Sequence, residues 1–435
     1  MARSSLFPAS VQPGKPRLGI CPTGWTTVTF GDVLGIVERP IDLNDEVEYQ
    51  LVTAKRSRGG VVARSILKGA EILTKTQFRI ERDDFLMSNR QIIHGGCGIV
   101  PPALHDAVVS NEYSVLRPKP PLLLEYLGYL THSIYFQQTC FHASVGVDVE
   151  KMIFDCERWL KFKLHLPPLH EQRRIAEILS SVDDAISATR DVIDQTRKVK
   201  QGVLERLLTR GLGHEHFKHT EIGELPEDWE TRSLAQICER GLFADGDWIE
   251  SKDQDPDGKV RLIQLSDIGD GIFLDKTSRF INHETARRLN VTFLKKGDIL
   301  LARMPDPLGR CCIFPLEVES ITAVDVCIIR PVEQIIDGAW LSYCLNSPSM
   351  RSRIDAQATG TTRTRISRKN LGALILPLPP LSEQRSISEK LLAFDNALSS
   401  SRARVEELQI TRKALMSDLL TGRRRVTDPL PIAAE

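Results

Sequence analysis

The sequence predicts an α/β protein of duplicated, pseudo-twofold architecture. Two mixed α/β inserts are each closed by a long helix, and the two helices pack antiparallel as a coiled coil. Three observations carry that prediction. The octapeptide LPPLHEQR at 166–173 returns as LPPLSEQR at 378–385, a shift of 212 residues. Around it the match runs without a gap, with seventeen identities over the 45 positions of 166–210 and 378–422. Both copies then carry apolar residues at alternating spacings of four and three, the signature of a heptad seam.

In chain order, residues 1–165 form the first α/β insert, with about the first 18 residues flexible, and 166–212 form the first helix. Residues 213–377 hold a linker and the second insert, 378–422 the second helix, and 423–435 a tail. Strand-like alternation stands out in VEYQLVTA, KFKLHL and VCIIRP, and GDILLAR is a short apolar strand after a turn. The stretch GHEHFKHTEIGELPEDW reads as a solvated linker whose three histidines have no partner cluster. Weaker echoes of the repeat flank the inserts. Pro22-Thr-Gly-Trp25 parallels Pro226-Glu-Asp-Trp229, and YLGYLTHS at 126–133 parallels WLSYCLNS at 340–347. A period this long means duplicated domains rather than a solenoid.

Each helix opens with a proline suited to its first turn, Pro168 and Pro380, and an acid placed where the helix dipole favours it, Glu171 and Glu383. The first seam runs through Ile175, Leu179, Val182 and Ile186, the second through Ile387, Leu391, Phe394 and Leu398. Both seams break at the same places, Thr189/Ser401 and Lys200/Arg412. An antiparallel pairing that sets Thr189 against Arg412 and Lys200 against Ser401 avoids apposing two buried cations. Beyond the seam, Ile178, Leu204, Leu208, Met416 and Leu420 widen the apolar face, so these residues are expected to dock a partner subunit or the bases of the inserts.

Composition narrows the function. The chain has 57 basic and 57 acidic residues in 435, so no global charge draws it to polyanions. Charge is local instead: TGTTRTRISRKN carries Arg363, Arg365, Arg368 and Lys369 with no acid. Nine scattered cysteines without a CxxC pair point to reduced thiols and a cytoplasmic protein, and no apolar run reaches the roughly 20 residues of a membrane span. The P-loop pattern is missing, as is the Asn/Asp-Pro-Pro-aromatic segment of an amino-methyltransferase. DQDPDGKVRLIQ imitates a calcium loop but has Gln264 where a bidentate glutamate is needed, so it reads as a turn. Glu227, Glu250 and Lys252 form only a degenerate nuclease pattern.

The duplicated PPLxEQR with its helix, the LPEDWE start of the second half, LKKGDILLAR, GTTRTRIS and FLMSNRQIIHGGCGIVPPALHDAVVSNEYSVL together resemble the specificity subunit of a type I restriction–modification system. The resemblance covers nearly the whole chain. It implies that each insert is a target recognition domain reading one half of a bipartite site in double-stranded DNA. It further implies that the helices separate the domains and dock two methyltransferase subunits, which the restriction and translocation subunits join. Catalysis and its S-adenosylmethionine, ATP and Mg2+ then belong to the partners, and this chain binds no cofactor or metal. A metal-dependent nuclease with its own specificity domains, and a coiled-coil scaffold, remain as alternatives.

Arginine forks suit phosphate oxygens and the guanine edge, and Asn/Gln suits adenine. On that chemistry, the DNA-contact candidates in the second domain are Thr361, Thr362, Arg363, Arg365, Arg368 and Lys369, with Arg303 and Arg310 bracketing the loop MPDPLG. In the first domain they are Lys75, Gln77, Arg79, Ser88, Asn89 and Arg90. The first half has no close copy of GTTRTRIS.

Overall fold

The two octapeptides do the same work twice, and the side chains explain why they are kept. The structure, a computed structural model, describes residues 16–305, 308–360 and 364–426. Residues 1–15 of the expected flexible start, and the tail from 427, lie outside the described residues. The chain divides into two compact units. One comprises the segment up to Arg190 together with the segment from Ala403, and the other runs from Asp191 to Arg402. Each unit therefore owns half of each long helix. The helices span Leu169–Arg210 and Leu381–Leu420, 42 and 40 residues. The prolyl carbonyls of Pro168 and Pro380 accept the first helical hydrogen bonds.

In the first unit the Glu171 carboxylate, almost fully buried, accepts from the Trp25 indole at 3.1 Å and from Arg425 Nε at 3.0 Å. Gln172 beside it donates to the carbonyls of Pro121 and Pro167 and accepts from the Leu123 amide. It thereby ties the start of the long helix to the helix Leu124–Leu130. In the second unit Glu383 accepts from the Trp229 indole at 2.9 Å, the Leu212 amide at 2.8 Å and His214 at 2.9 Å. Gln384 donates to the carbonyls of Ile335 and Pro379 and accepts from the Asp337 amide, which tethers the helix Gly338–Asn346. One glutamate clamps a tryptophan and one glutamine staples a helix, in both copies. Buried polar groups need such partners, which is why these letters cannot drift.

The antiparallel expectation holds within each unit. In the first, Glu171 meets Arg425 and Asp183 meets Arg412, so position falls on one helix as it rises on the other. In the second, Lys200 meets Asp395 and the Leu212 amide meets Glu383. The expected axial register does not hold. The seam cations do not face Thr189 and Ser401. Arg412 bonds Asp183 and Lys200 bonds Asp395, both at 2.5 Å, and each carboxylate also takes a tyrosine hydroxyl, Tyr129 at 3.1 Å and Tyr343 at 2.7 Å. A carboxylate, itself oriented by a tyrosine hydroxyl, satisfies a partly buried cation better than a serine or threonine hydroxyl, and that chemistry favours the offset. Burial and the Asp183 charge push the Tyr129 hydroxyl up to about 12, so it stays a donor.

The inserts share a topology that their sequences hide. The first unit has a four-stranded antiparallel sheet ordered Leu34–Ile36, Tyr113–Pro118, Phe85–Ser88, Cys97–Ile99. The second unit has one ordered Leu242–Asp245, Val326–Arg330, Ile299–Ala302, Cys311–Ile313, with the same sense throughout. In each, a two-stranded ribbon leads into the long helix: Thr26–Thr29 with Lys163–Leu166, and Glu230–Ser233 with Ile375–Leu378. The first unit adds a five-stranded sheet and the second a three-stranded one. The supposed linker is ordered: Phe217–Thr220 and Gly223–Pro226 form a hairpin, and its His214 lies on Glu383.

The widened helix face is covered by the chain itself. Ile175, Leu179, Met416 and Leu420 pack in one core with Trp25, Phe30 and Trp159. Leu204, Leu208, Ile387 and Leu391 pack in another with Trp229 and Trp340. Ile186 and Leu398 are buried, and Val182, Ile178 and Phe394 partly so. Leu204, Leu208, Met416 and Leu420 thus pack on the bases of the chain's own domains, one of the two roles expected of the widened face. All nine cysteines are free thiols, and burial pushes Cys97, Cys238, Cys311, Cys312 and Cys344 up to about 12. Among the described residues no helix is long and apolar enough to cross a membrane.

Candidate nucleic-acid interface

In the second unit, strand register gathers the candidate arginines. Asp245 lies opposite Cys327, and Ala302 opposite Val326, so Asp245, Arg303 and the turn 323–325 share one end of the four-stranded sheet. Arg303 is the hub. Its guanidinium bonds Asp245 at 3.0 Å and the Val324 carbonyl at 2.7 Å, with its side chain 4% exposed. Its amide donates to the Asp325 carbonyl, and its own carbonyl accepts from the Ile366 amide. Burial holds this guanidinium below the usual arginine range, with the Asp245 charge opposing that shift. With its guanidinium held by Asp245 and Val324 and its backbone by Asp325 and Ile366, buried Arg303 ties the arginine-bearing segment to the sheet end.

That segment is held at its stem. Thr359 and Arg365 exchange backbone hydrogen bonds at 3.0 and 2.9 Å, and Ile366 is fully buried. Thr361, Thr362 and Arg363 lie outside the described residues. The Arg365 side chain is half-exposed and reaches the Val324 carbonyl at 3.4 Å and Asp325 at 3.5 Å. Arg368 opens the short helix Arg368–Gly372, capped by Ser367, and stands 3.8 Å from Asp245. Lys369 is exposed next to it. These contacts are long and solvated, so each is weak and can be exchanged for a stronger anion. Arg310 donates to the Leu265 carbonyl at 2.9 Å.

In the first unit the candidates fall into two groups around the turn 110–112. Gln77 pairs with Ser110 across the sheet, is 2% exposed, and donates to the Thr74 carbonyl. Ser88 is likewise buried. Burial takes both out of the set that faces a partner. Lys75 donates to the Gly69 carbonyl, and Arg79 lies 3.5 Å from Asp106 with half of its side chain exposed. Asn89 is oriented by Ser114 at 2.7 Å and donates to the Asn111 carbonyl, while exposed Arg90 forks onto Glu112 at 2.5 and 3.1 Å. Spacing gave no hint of the most enclosed ion network of this unit. There fully buried Asp84 holds Arg39 at 2.8 Å and Arg117 at 2.9 Å, with Glu81 alongside.

The family profile for the Type I restriction modification DNA specificity domain matches twice, over 22–195 and 226–409, one copy per insert and its helix. The chain belongs to that family. It is 28% identical over 421 residues to the type I restriction enzyme MjaVIII specificity subunit of Methanocaldococcus jannaschii, covering 93% of this chain and 94% of that one. It is also 28% identical over 299 residues to the EcoBI specificity subunit of Escherichia coli, covering 62% and 61%. Among solved structures, one of a type I restriction–modification system, from work on its complex assembly and conformational transition, overlays with a TM-score of 0.64. That match is 18% identical and covers 93% of this chain and all of the other. The HsdS subunit from Thermoanaerobacter tengcongensis overlays at 0.53 with 19% identity, covering 93% and 98%. Likeness at this identity speaks to the fold.

Proposed function

We propose that this chain is the DNA-reading subunit of a type I restriction–modification complex. Its two domains recognise the two unlike halves of an asymmetric site in double-stranded DNA, separated by a gap that neither domain reads. It carries no catalysis. Two methyltransferase subunits bind along its helices, restriction and translocation subunits join them, and S-adenosylmethionine, ATP and Mg2+ are used on those partners, in the cytoplasm.

The observation that carries this reading is the double family match on two inserts with one sheet order and unlike polar surfaces. Equal frames with unequal reading surfaces suit a two-part, non-palindromic target. The arginines left half-exposed at one sheet end, Arg365 and Arg368, suit phosphate and base-edge contacts in the second half-site. Arg90, Asn89, Arg79 and Lys75 are the proposed contact groups in the first. The nuclease alternative finds Glu250 and Lys252 bonded to each other at 2.7 Å.

The purified chain, alone and with its methyltransferase subunits, is tested against duplexes by gel shift and by nicking with Mg2+. Sequence-selective binding that strengthens with the methyltransferase, without nicking, is the expected result. Nicking by the chain alone would overturn the proposal in favour of a nuclease, and absence of DNA binding in both forms would leave the scaffold.

A further inference from the structure

The second unit displays an indole that its fold does not use. Trp248 is 70% exposed, whereas Trp25, Trp159, Trp229 and Trp340 are all buried. It is not carried by a slack loop. Before it, the Gly246 amide donates to the Val326 carbonyl and the Asp247 amide to the Thr322 carbonyl, both at 2.8 Å. The Asp247 carboxylate accepts from the Thr292 amide at 2.9 Å, and Asp247 bridges Ala323. After it, Glu250 and Asp253 cap each other's backbone, and Arg288 holds Asp253. Among the described residues the indole Nε1 reaches only Glu250, at 3.4 Å. A rigid backbone thus presents a large apolar ring to water, an arrangement that folding alone does not reward.

Its neighbours say what the ring faces. The turn 322–326 that pins Gly246 and Asp247 on one side is the turn whose Val324 carbonyl and Asp325 carboxylate hold Arg365 on the other. Asp245, three residues before the indole, pairs with Arg303 and Arg368. Trp248 and the exchangeable arginines therefore flank one turn at one end of the sheet. The acids here are committed: Asp247 to a backbone amide, Asp245 and Asp325 to arginines, Glu250 to Lys252 and Asp253 to Arg288. We infer that Trp248 is a DNA-contact residue of the second domain, packing its indole face on a nucleotide of the half-site while Arg365 and Arg368 take the flanking phosphates. At a duplex groove an apolar side chain can contact thymine methyl groups and sugars, and cations beside it supply the phosphate contact. This inference rests on the DNA-reading function proposed above.

The test uses the complex with its methyltransferase subunits and a duplex carrying the target site. The emission of the Trp248→Phe complex is subtracted from that of the wild type, which isolates the indole. The expected result is that the duplex quenches or blue-shifts this difference emission, and that Trp248→Ala weakens binding about tenfold while Trp248→Phe largely retains it. Three results would overturn the inference. The first is difference emission indifferent to DNA together with wild-type affinity in Trp248→Ala. The second is a shift that appears when the methyltransferase is added and then ignores DNA, which assigns the indole to a protein interface. The third is Trp248→Phe as damaging as alanine with no spectral change. Arg365→Ala keeps the two levels apart: if it weakens binding while Trp248 is inert, the indole assignment falls and the DNA-reading function stands.

Discussion

Glu171→Gln separates charge from shape at the clamp that closes the first unit. The wild-type carboxylate serves the Trp25 indole at 3.1 Å and two nitrogens of Arg425, one of them at 3.0 Å, with only 3% of its side chain exposed. Hydrogen bonds to a charged group contribute about 1.5–3 kcal/mol each, against about 0.5–1.5 for neutral ones. The amide keeps one acceptor, turns an N–H toward a donor, and removes the Glu171 charge from the Arg425 guanidinium. The expected loss is about 2–4 kcal/mol, or roughly 4–16 °C in the melting temperature of a unit of this size. The pH dependence gives a second readout. Burial alone pushes the Glu171 carboxyl up, but the Arg425 and Trp25 hydrogen bonds outweigh it, so its pKa lies below the usual carboxylate value. A depressed carboxylate contributes stability that is present above about pH 4.3 and lost as pH falls through the folded pKa. Wild type and variant should therefore differ most near pH 7 and converge in acid, measured by thermal melting from pH 7 down to pH 3. A difference that is absent at pH 7, or constant across that range, would refute the clamp as an ionised carboxylate.

Three further outcomes follow from the same geometry. In double-mutant cycles, Asp183→Asn with Arg412→Ala and Asp395→Asn with Lys200→Ala should each show a coupling of about 0.5–1 kcal/mol, discounted because both pairs are partly solvated; additive effects would reject the register described here. Arg365→Ala should weaken DNA binding and reduce the salt slope by about one unit, whereas wild-type slope and affinity would show a guanidinium that only faces solvent. Inserting seven residues into each long helix at the unit boundaries, after Arg190 and after Arg402, keeps the heptad phase and adds about 10 Å of helix. The methylated site should then keep both half-sequences and gain about three base pairs of gap, and an unchanged gap would mean that the helices do not set the distance. The same insertion after Leu208 would instead tear that residue from the Trp229 core.

The frame was more legible than the reading surface. Heptad spacing exposes the helices because periodicity survives any substitution among Leu, Ile and Val. It does not encode axial offset, which is why the partners of Lys200 and Arg412 were misplaced although Asp183 and Asp395 stood among the repeated identities. The common sheet order of the two inserts was invisible because short buried strands require only apolar letters, so two sequences can share a topology and no residues. Burial then separated look-alike side chains. Arg303 and Arg365 carry the same fork, but one closes a hub inside the sheet end while the other sits at its rim. Nothing in spacing tells them apart, since Asp245 lies 58 positions before Arg303. Of the three histidines in the presumed linker, His216 and His219 are exposed, whereas His214 is held by Glu383, again far along the chain.

The most direct test of the central claim is sequencing of methylated bases in DNA from cells that express this chain with its methyltransferase partner. The account predicts one motif made of two different half-sequences roughly one helical turn, 34 Å, apart, with a fixed unread gap between them. Exchanging residues 213–377 for the corresponding domain of a relative should change the half assigned to that domain and leave the other intact. A continuous or palindromic motif, or an exchange that alters both halves together, would contradict it.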